Sequence, residues 1–200
     1  MYGGNYMDII ILNDNKLNLK YTGKELSPLW AFKTFGTRKD SIVAFIGEME
    51  VSKDNMKDLA DVKKEFNIDY PIKSEKAINF IVEHFDTNNI KVAYLRQRLL
   101  VMMAKEVLND FGVKVRREGD DLYIGDRKLS VSIASSGLVS HKIHLGLNVS
   151  SKGPEHVKVV GLEEFLNENE IKEVMKKIAH KYVGEVERIE RDIRKTLPIL

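Results

Sequence analysis

Residues 119–153, GDDLYIGDRKLSVSIASSGLVSHKIHLGLNVSSKG, hold the side chains best suited to chemistry. Read as strands, Arg127–Ala134 and His141–Val149 place successive side chains on opposite faces. Leu129, Val131 and Ile133 then share one face, and Lys128, Ser130, Ser132 and Ala134 the other. In the second strand Ile143, Leu145, Leu147 and Val149 share one face. Lys142, His144, Gly146, Asn148 and Ser150 share the other. Each strand has an apolar side and a side of short polar groups. A solvated face ordinarily carries longer side chains; Ser, Ala, Gly and Asn leave room above a sheet. Lys128 and His144 can reach into that room. This suits a ligand bed, with close backbone approach, a few hydrogen-bonding groups and one fixed cation for a carboxylate or phosphate. The same small residues would also let a helix pack closely on the sheet, and pattern alone leaves both readings open.

Other groups can be weighed the same way. Arg96 and Arg98 flank Gln97 in a largely apolar segment. Two guanidiniums there could clamp an anion bidentately, or be surface residues, one of them capping a buried carboxylate. His141 and His144 stand three apart, so on a strand they face opposite ways and cannot chelate one ion together. His84, His156 and His180 have no matched spacing, and no metal site is expected. Asp54, Asp58 and Asp61 recur near helical spacing. They fit Mg²⁺ beside a nucleotide less well than a solvated helix face.

The elements that must position these groups follow from the local pattern. Met7–Leu12 is an apolar run of strand length, Asn13-Asp14-Asn15 a turn and Leu17–Tyr21 a returning strand. Ser27 as N-cap and Pro28 at the first position open a short helix that Gly36 stops, with Trp30 and Phe32 in the core. Ile42–Val51 is β-branched and aromatic and reads as a strand. Ser52–Asn67 reads as partly helical, and Pro71 breaks it. Ser74 caps an expected helix with Ile78, Ile81, Val82 and Phe85 on one face. Asn88-Asn89 punctuates. Lys91–Phe111 reads as a helix with Val92, Leu95, Leu99, Met102 and Met103 as its apolar stripe, ended by Gly112. The period then changes to two over Val113–Arg117, Leu122–Ile124, Arg127–Ala134 and His141–Val149. Gly125-Asp126 suits a two-residue hairpin, and 156–160 reads as a weaker fifth strand. The C-terminal part is one helix. Its stripe is Ile171, Val174, Met175, Ile178, Tyr182, Val186, Ile189 and Ile193. Glutamates crowd its start (Glu163, Glu164, Glu168, Glu170), and Arg191, Arg194 and Lys195 its end.

Composition narrows the function classes. Of 200 residues, 43% are hydrophobic and 31% charged, which fits a globular domain with a substantial core rather than a disordered or fibrous chain. With 32 Lys+Arg against 30 Asp+Glu the net charge is +2, which gives no electrostatic reason to expect nucleic acid. There is no cysteine, so a disulfide framework, a zinc knuckle and a thiol nucleophile are excluded. No apolar run reaches the roughly 18 residues of a membrane span, and MYGGNYMDII lacks the features of a secretory signal. A cytoplasmic protein with no membrane partner is expected. Residues 1–6 read as a disordered lead-in, with Met7 a candidate second start.

The run D-D-L-Y-I-G-D-R-K-L-S-V-S-I-A, followed by H-L-G-L-N-V, resembles the heart of the biotin and lipoate protein ligase catalytic domain. In those families an Asn-Asp and apolar strand precedes a tight turn. A lysine-bearing strand and a strand ending in a Gly-x-Asn pattern follow. Asp120 or Asp121 matches the Asn-Asp position, Lys128 the lysine that contacts the ligand's carboxylate or adenylate phosphate, and Gly146 and Asn148 the closing strand. The helix at 91–111 falls where those families place theirs. This match covers about 35 residues. Nearly the whole chain is more closely similar to an uncharacterised archaeal family, a domain of unknown function with the same class II synthetase-like fold.

The resemblance implies an α+β domain over residues 1–200, with a central, mainly antiparallel sheet flanked by helices. It implies a small-molecule partner, a carboxylate-containing or adenylate-like ligand, with Lys128 as the central residue. Asp121, Ser130, Ser132, His144, Gly146 and Asn148 would line the site, and Arg96 or Arg98 would hold a second anionic group. Ligase or acyl/adenylyl transferase chemistry would follow, with ATP as candidate co-substrate and a homodimer as candidate assembly. The chain departs from the families in two ways. It has neither the Gly/Arg-rich phosphate loop of biotin ligases nor the Arg-Arg-x-Ser-Gly-Gly segment of lipoate ligases; Gly36-Thr37-Arg38-Lys39 is not equivalent. It also lacks the cysteine acyl-carrier of many octanoyl transferases. The alternative is a non-catalytic binding or interaction module that kept the fold and lost the phosphate loop.

Overall fold

The computed structural model describes residues 6–12, 19–58, 72–153 and 157–199. The expected turn at 13–15, Pro71, Asp61 and most of the 52–67 segment lie outside them. In chain order the elements are β1 (Met7–Leu12), β2 (Lys20–Tyr21), α1 (Trp30–Phe35), β3 (Asp40–Val51), β4 (Ile72–His84) and α2 (Ile90–Asp110). There follow β5 (Arg116–Glu118), β6 (Asp121–Ile124), β7 (Arg127–Lys128), β8 (Ser130–Ser136), β9 (His141–Asn148) and α3 (Glu168–Lys195).

The main sheet runs β1-β3-β4-β9-β8, with β2 also paired to β3. The central pairs are antiparallel, while β1 and β2 both run parallel to β3. β2 therefore does not return against β1; it lies further along β3, where Lys20 is opposite Glu48. The β3–β4 register shifts between Gly47 and Met49. A Cβ at Gly47 would lie 2.0 Å from the Leu19 carbonyl oxygen, so only glycine allows this close passage. β5, β6 and β7 make a separate three-stranded sheet, and Gly125, at φ 62°, turns the β6–β7 hairpin as expected.

The helix expected to follow Ser74 is a strand. β4 is central, and Ala77 through His84 are all buried. A strand covered on both faces reads as a continuous apolar run, which also satisfies helical spacing, so periodicity could not separate the two.

Two apolar clusters lie on the two faces of the sheet. Ile42, Ala44, Ile78, Phe80, Val82, Ile143, Leu145 and Leu147 pack against α2 and α3. On the other side Val43, Phe45 and Ile81 pack against Tyr21, Leu26, Ala31 and Met49 from the short elements around α1. The chain is thus a mixed α+β fold with a mainly antiparallel central sheet flanked by helices. Among the described residues no helix is long and apolar enough to cross a membrane.

Helix details depart from expectation in three places. α1 begins at Trp30, two residues late, because Leu29 takes the left-handed conformation (φ 60°) as its cap; Phe32 is exposed and Trp30 only half-buried. α2 buries Ala93, Gln97, Leu100, Val101, Ala104, Val107 and Leu108, leaving Leu95 64% exposed. The small residues Ala93 and Ala104 seat the helix on the sheet, and the larger stripe only partly does. α3 opens with a capping box, Asn167 and Glu170, and buries the expected stripe through Val186, whereas Ile189 and Ile193 run on into solvent.

Candidate functional site

The register of β8 on β9 decides which side chains meet. Ser130 stands opposite Leu147, Ser132 opposite Leu145 and Ala134 opposite Ile143. Directly opposed residues share a face, so the two serines lie under the helices. Val131 and Ile133, opposite Gly146 and His144, lie on the other side and pack against the Tyr21 cluster. The sequence pattern placed Leu129, Val131 and Ile133 together. The reason for the difference is a break: β7 ends at Lys128, β8 begins at Ser130, and both Leu129 and Ser130 are buried. Parity does not carry through such an interruption.

The expected ligand set therefore divides. Beneath α2, Gln97 donates to Ser132 Oγ (2.9 Å) and Asp120 (3.0 Å), and Ser132 donates to the His144 carbonyl (2.9 Å). Ser130 Oγ accepts from the Leu122 amide at 2.8 Å. These hydroxyls tie elements together. Arg98 pairs with Asp120 at 3.2 Å, and Arg96 grips Asp86 with both terminal nitrogens at 2.7 and 2.8 Å. Each guanidinium holds its own carboxylate, and the two do not form one clamp.

On the opposite face, His144 is fully buried, with Tyr21 stacked on its ring at a centroid distance of 3.5 Å and an interplanar angle of 8°. Its Nε2 lies 3.0 Å from Asn79 Oδ1. Burial pushes its pKa down to about 3, so it serves as a neutral hydrogen-bonding group. Gly146 is close-packed: a Cβ there would meet His144 Cε1 and Val131 Cγ1 at 3.2 Å and Met49 Sδ at 3.3 Å. Asn148 donates to the Lys128 carbonyl at 3.4 Å. Lys128 does not enter a cavity shared by Ser130, Ser132, Gly146 and Asn148, which lie on two faces. Its Nζ contacts Asp121 Oδ1 at 2.9 Å in the hairpin, with both side chains about one-third exposed. Asp121 also accepts from the Tyr123 hydroxyl at 3.3 Å. A cleft of about 40 Å³ opens on this face, lined by Tyr21, Met49, Met56, Val131, Ile133 and His144.

Two polar groupings escaped sequence reasoning. On the Tyr21 face a buried ion pair joins Lys142 and Glu83. Glu83 also accepts from Ser140 Oγ (2.8 Å) and the Leu29 amide (3.3 Å). Burial lowers the Lys142 pKa against the opposing pull of Glu83. At the helix side of the same sheet end, Asp40 contacts His84 Nδ1 at 2.7 Å, and His84 Nε2 reaches the Tyr182 hydroxyl at 2.9 Å. His141 joins this group through Arg96 (3.2 Å) and the Thr87 carbonyl (2.9 Å), facing away from His144 as strand parity requires. Asp40, His84 and Asp86 are close enough to share a cation. However, their ligand atoms already engage one another, Tyr182, Arg96 and the Phe85 amide. Only long-range pairing brings these residues together, so no local motif announces them. The expected fifth strand contributes a single parallel bridge, Lys128 to Val159.

Three kinds of likeness bear on this geometry. A family model described as a domain of unknown function, DUF366, matches residues 7–197. An uncharacterized protein of Methanocaldococcus jannaschii is 58% identical over all of this chain and 89% of its own length. A structure of a protein of unknown function from Pyrococcus horikoshi superposes with TM-score 0.87 at 33% identity, covering 97% of this chain and 100% of that one. Biotin protein ligase from Aquifex aeolicus, in complex with biotin and ATP, gives TM-score 0.57 at 16% identity over 89% of this chain and 69% of that one. A candidate lipoate protein ligase of T. acidophilum with bound lipoic acid gives 0.57 at 11% identity, over 88% and 85%. The last two likenesses are of fold.

Proposed function

The chain belongs to the DUF366 family of unknown function, and we propose that it binds a small carboxylate-containing or adenylate-like ligand on the Tyr21 face of its sheet, as a ligase or acyl/adenylyl transferase. In this reading residues 1–200 act as one ligase-like domain. The observation that carries it is the cleft between Tyr21, Met49, Val131 and His144 on the sheet of a fold shared with proteins holding biotin and lipoic acid. Both of those ligands pair a largely apolar body with one carboxylate.

In this reading Lys128, which does not line the cleft, supplies the cation to the part of the ligand that extends beyond it. Its partner Asp121 is carried by the same hairpin and is partly exposed, so a ligand carboxylate can replace it with little desolvation. Asn148 holds the Lys128 backbone, and Gly146 lets His144, Val131 and Met49 converge. His144, being neutral, gives orientation without charge. Ser130, Ser132, Arg96 and Arg98 support the scaffold from the helix side. ATP would enter as a substrate. The cleft is smaller than any of these ligands, so binding entails displacement of the cover that Tyr21 and its neighbours form.

A second reading is favoured by the missing Gly/Arg phosphate loop: a binding module without transfer chemistry. A thermal-shift screen over biotin, lipoate, octanoate, amino acids and nucleotides tests binding. Ligand at about 100 times its Kd stabilises by roughly 2.7 kcal/mol. ATP–pyrophosphate exchange dependent on the acid that binds supports the enzyme; binding without exchange supports the module.

A further inference from the structure

A second cavity, of about 210 Å³, opens between the sheet and the first turns of α3. It lies where β9 runs out at Val149 and the chain rises through Leu166 into the helix. Its walls are Leu12, Ile46, Val149, Leu166, Ile171 and Met175. Met175 is completely buried, and Val149 and Ile171 nearly so. The cavity opens to solvent through a polar mouth, and these apolar residues form its floor, so an amphipathic guest can enter it. Taking about 30 Å³ for a group the size of water or methylene, it holds about seven such groups.

The mouth carries four charged residues, Lys76, Glu163, Glu168 and Lys172. Glu168 and Lys172 neutralise each other at 3.0 Å. Glu163 accepts the Ser151 amide at 3.0 Å. Among the described residues Lys76 has no ion pair or side-chain hydrogen bond, although it acts at longer range on Glu168. At this end of α3 the Asn167 side chain already accepts the Asn169 and Glu170 amides, and Lys76 is the side chain left to receive an anion. We propose that this cavity is a binding site for a medium-chain carboxylate, with six to eight carbons within and the carboxylate on Lys76. It is separate from the Tyr21-face cleft and does not depend on the function proposed for it.

Isothermal titration with sodium octanoate tests the site, using wild type, Lys76→Ala, Ile46→Phe and Lys128→Ala. Ile46 is half-buried, so phenylalanine there fills the cavity without entering the deep core, and Lys76 is exposed, so its truncation should leave folding intact. Octanoate should bind this site in wild type, about tenfold more weakly in Lys76→Ala, and not at this site in Ile46→Phe, with the same ranking when Lys128→Ala is the background. Octylamine, with the same chain and the opposite charge, should not bind. The proposal is overturned if wild type does not bind octanoate, if octylamine binds as well, or if Lys76→Ala and Ile46→Phe bind like wild type. Loss only in Lys128→Ala would also overturn it and would move octanoate to the Tyr21 face.

Discussion

The two faces of the central sheet are built on different principles. The face under α2 and α3 is mainly a volume-filling core, with Phe80, Leu145 and Leu147 fully buried in one apolar cluster. The face under Tyr21 and α1 mixes apolar residues with a buried Lys142–Glu83 pair and a histidine kept neutral between Tyr21 and Asn79. Apolar packing tolerates exchange of one side chain for another of similar size. Buried polar groups tolerate little, because each must keep its partner. Regions that retain such costly groups are where function is usually found. The contrast supports the proposal of a site on the Tyr21 face; the helix face carries its own polar contacts, through Gln97, Ser130 and Ser132 under α2 and through Asp40, His84 and Tyr182 at its edge.

Substitutions can break this contrast, and the largest effect should come from the buried ion pair. Glu83→Ala strands the Lys142 ammonium and should cost about 3–5 kcal/mol in chemical denaturation. The double change Glu83→Leu/Lys142→Met should recover most of that loss. By comparison, Leu145→Ala on the helix face should cost about 2–5 kcal/mol as a cavity, with no charge partner to rescue it. A double variant no more stable than Glu83→Ala would show that the pair is not the cause.

The next effect is on pH dependence. The folded pKa of His144 lies near 3, below its ordinary 6.5. The unfolded chain therefore binds a proton that the folded one refuses. Stability is fully present above pH 6.5, falls as pH drops through the interval between the two values, and has lost this contribution below about 3. The slope from this one group approaches about 1.4 kcal/mol per pH unit. His84 and His141, also lowered by burial, add in the same direction. His144→Gln should flatten the profile measured by urea denaturation; an unchanged slope would contradict neutral burial.

A smaller effect is expected at Gly146. An alanine there meets only side-chain atoms, at 3.2–3.3 Å, so His144, Val131 and Met49 can shift to accept it. The overpacking should cost about 1–3 kcal/mol, while the affinity of any ligand in the adjacent cleft should fall further. The smallest effect should be at Lys128, whose partly exposed pair with Asp121 contributes at most about 1 kcal/mol to folding.

How much of this was legible in the sequence follows from the range of each interaction. Alternation over His141–Asn148 was local and clear, as were the Gly125 turn and the final helix. The break at Leu129 was not, because one residue that interrupts two strands leaves the hydrophobic pattern intact while reversing the faces. β4 was misread because burial on both sides erases the period that separates strand from helix. The partners Tyr21, Asn79 and Glu83 are 123, 65 and 59 positions from the residues they meet in β9, and no spacing rule connects them. The lysine and closing-strand motifs were visible, but their geometry depended on a register that only the folded sheet displays.

The most direct test of the Tyr21-face site is a titration of the acid or nucleotide selected by the thermal-shift screen against wild type and Lys128→Ala. A charge-assisted contact is worth roughly 1.5–3 kcal/mol, so the variant should bind on the order of tenfold to a hundredfold more weakly with nearly unchanged folding stability. Equal affinities in the two proteins would remove Lys128 from the site and contradict the account.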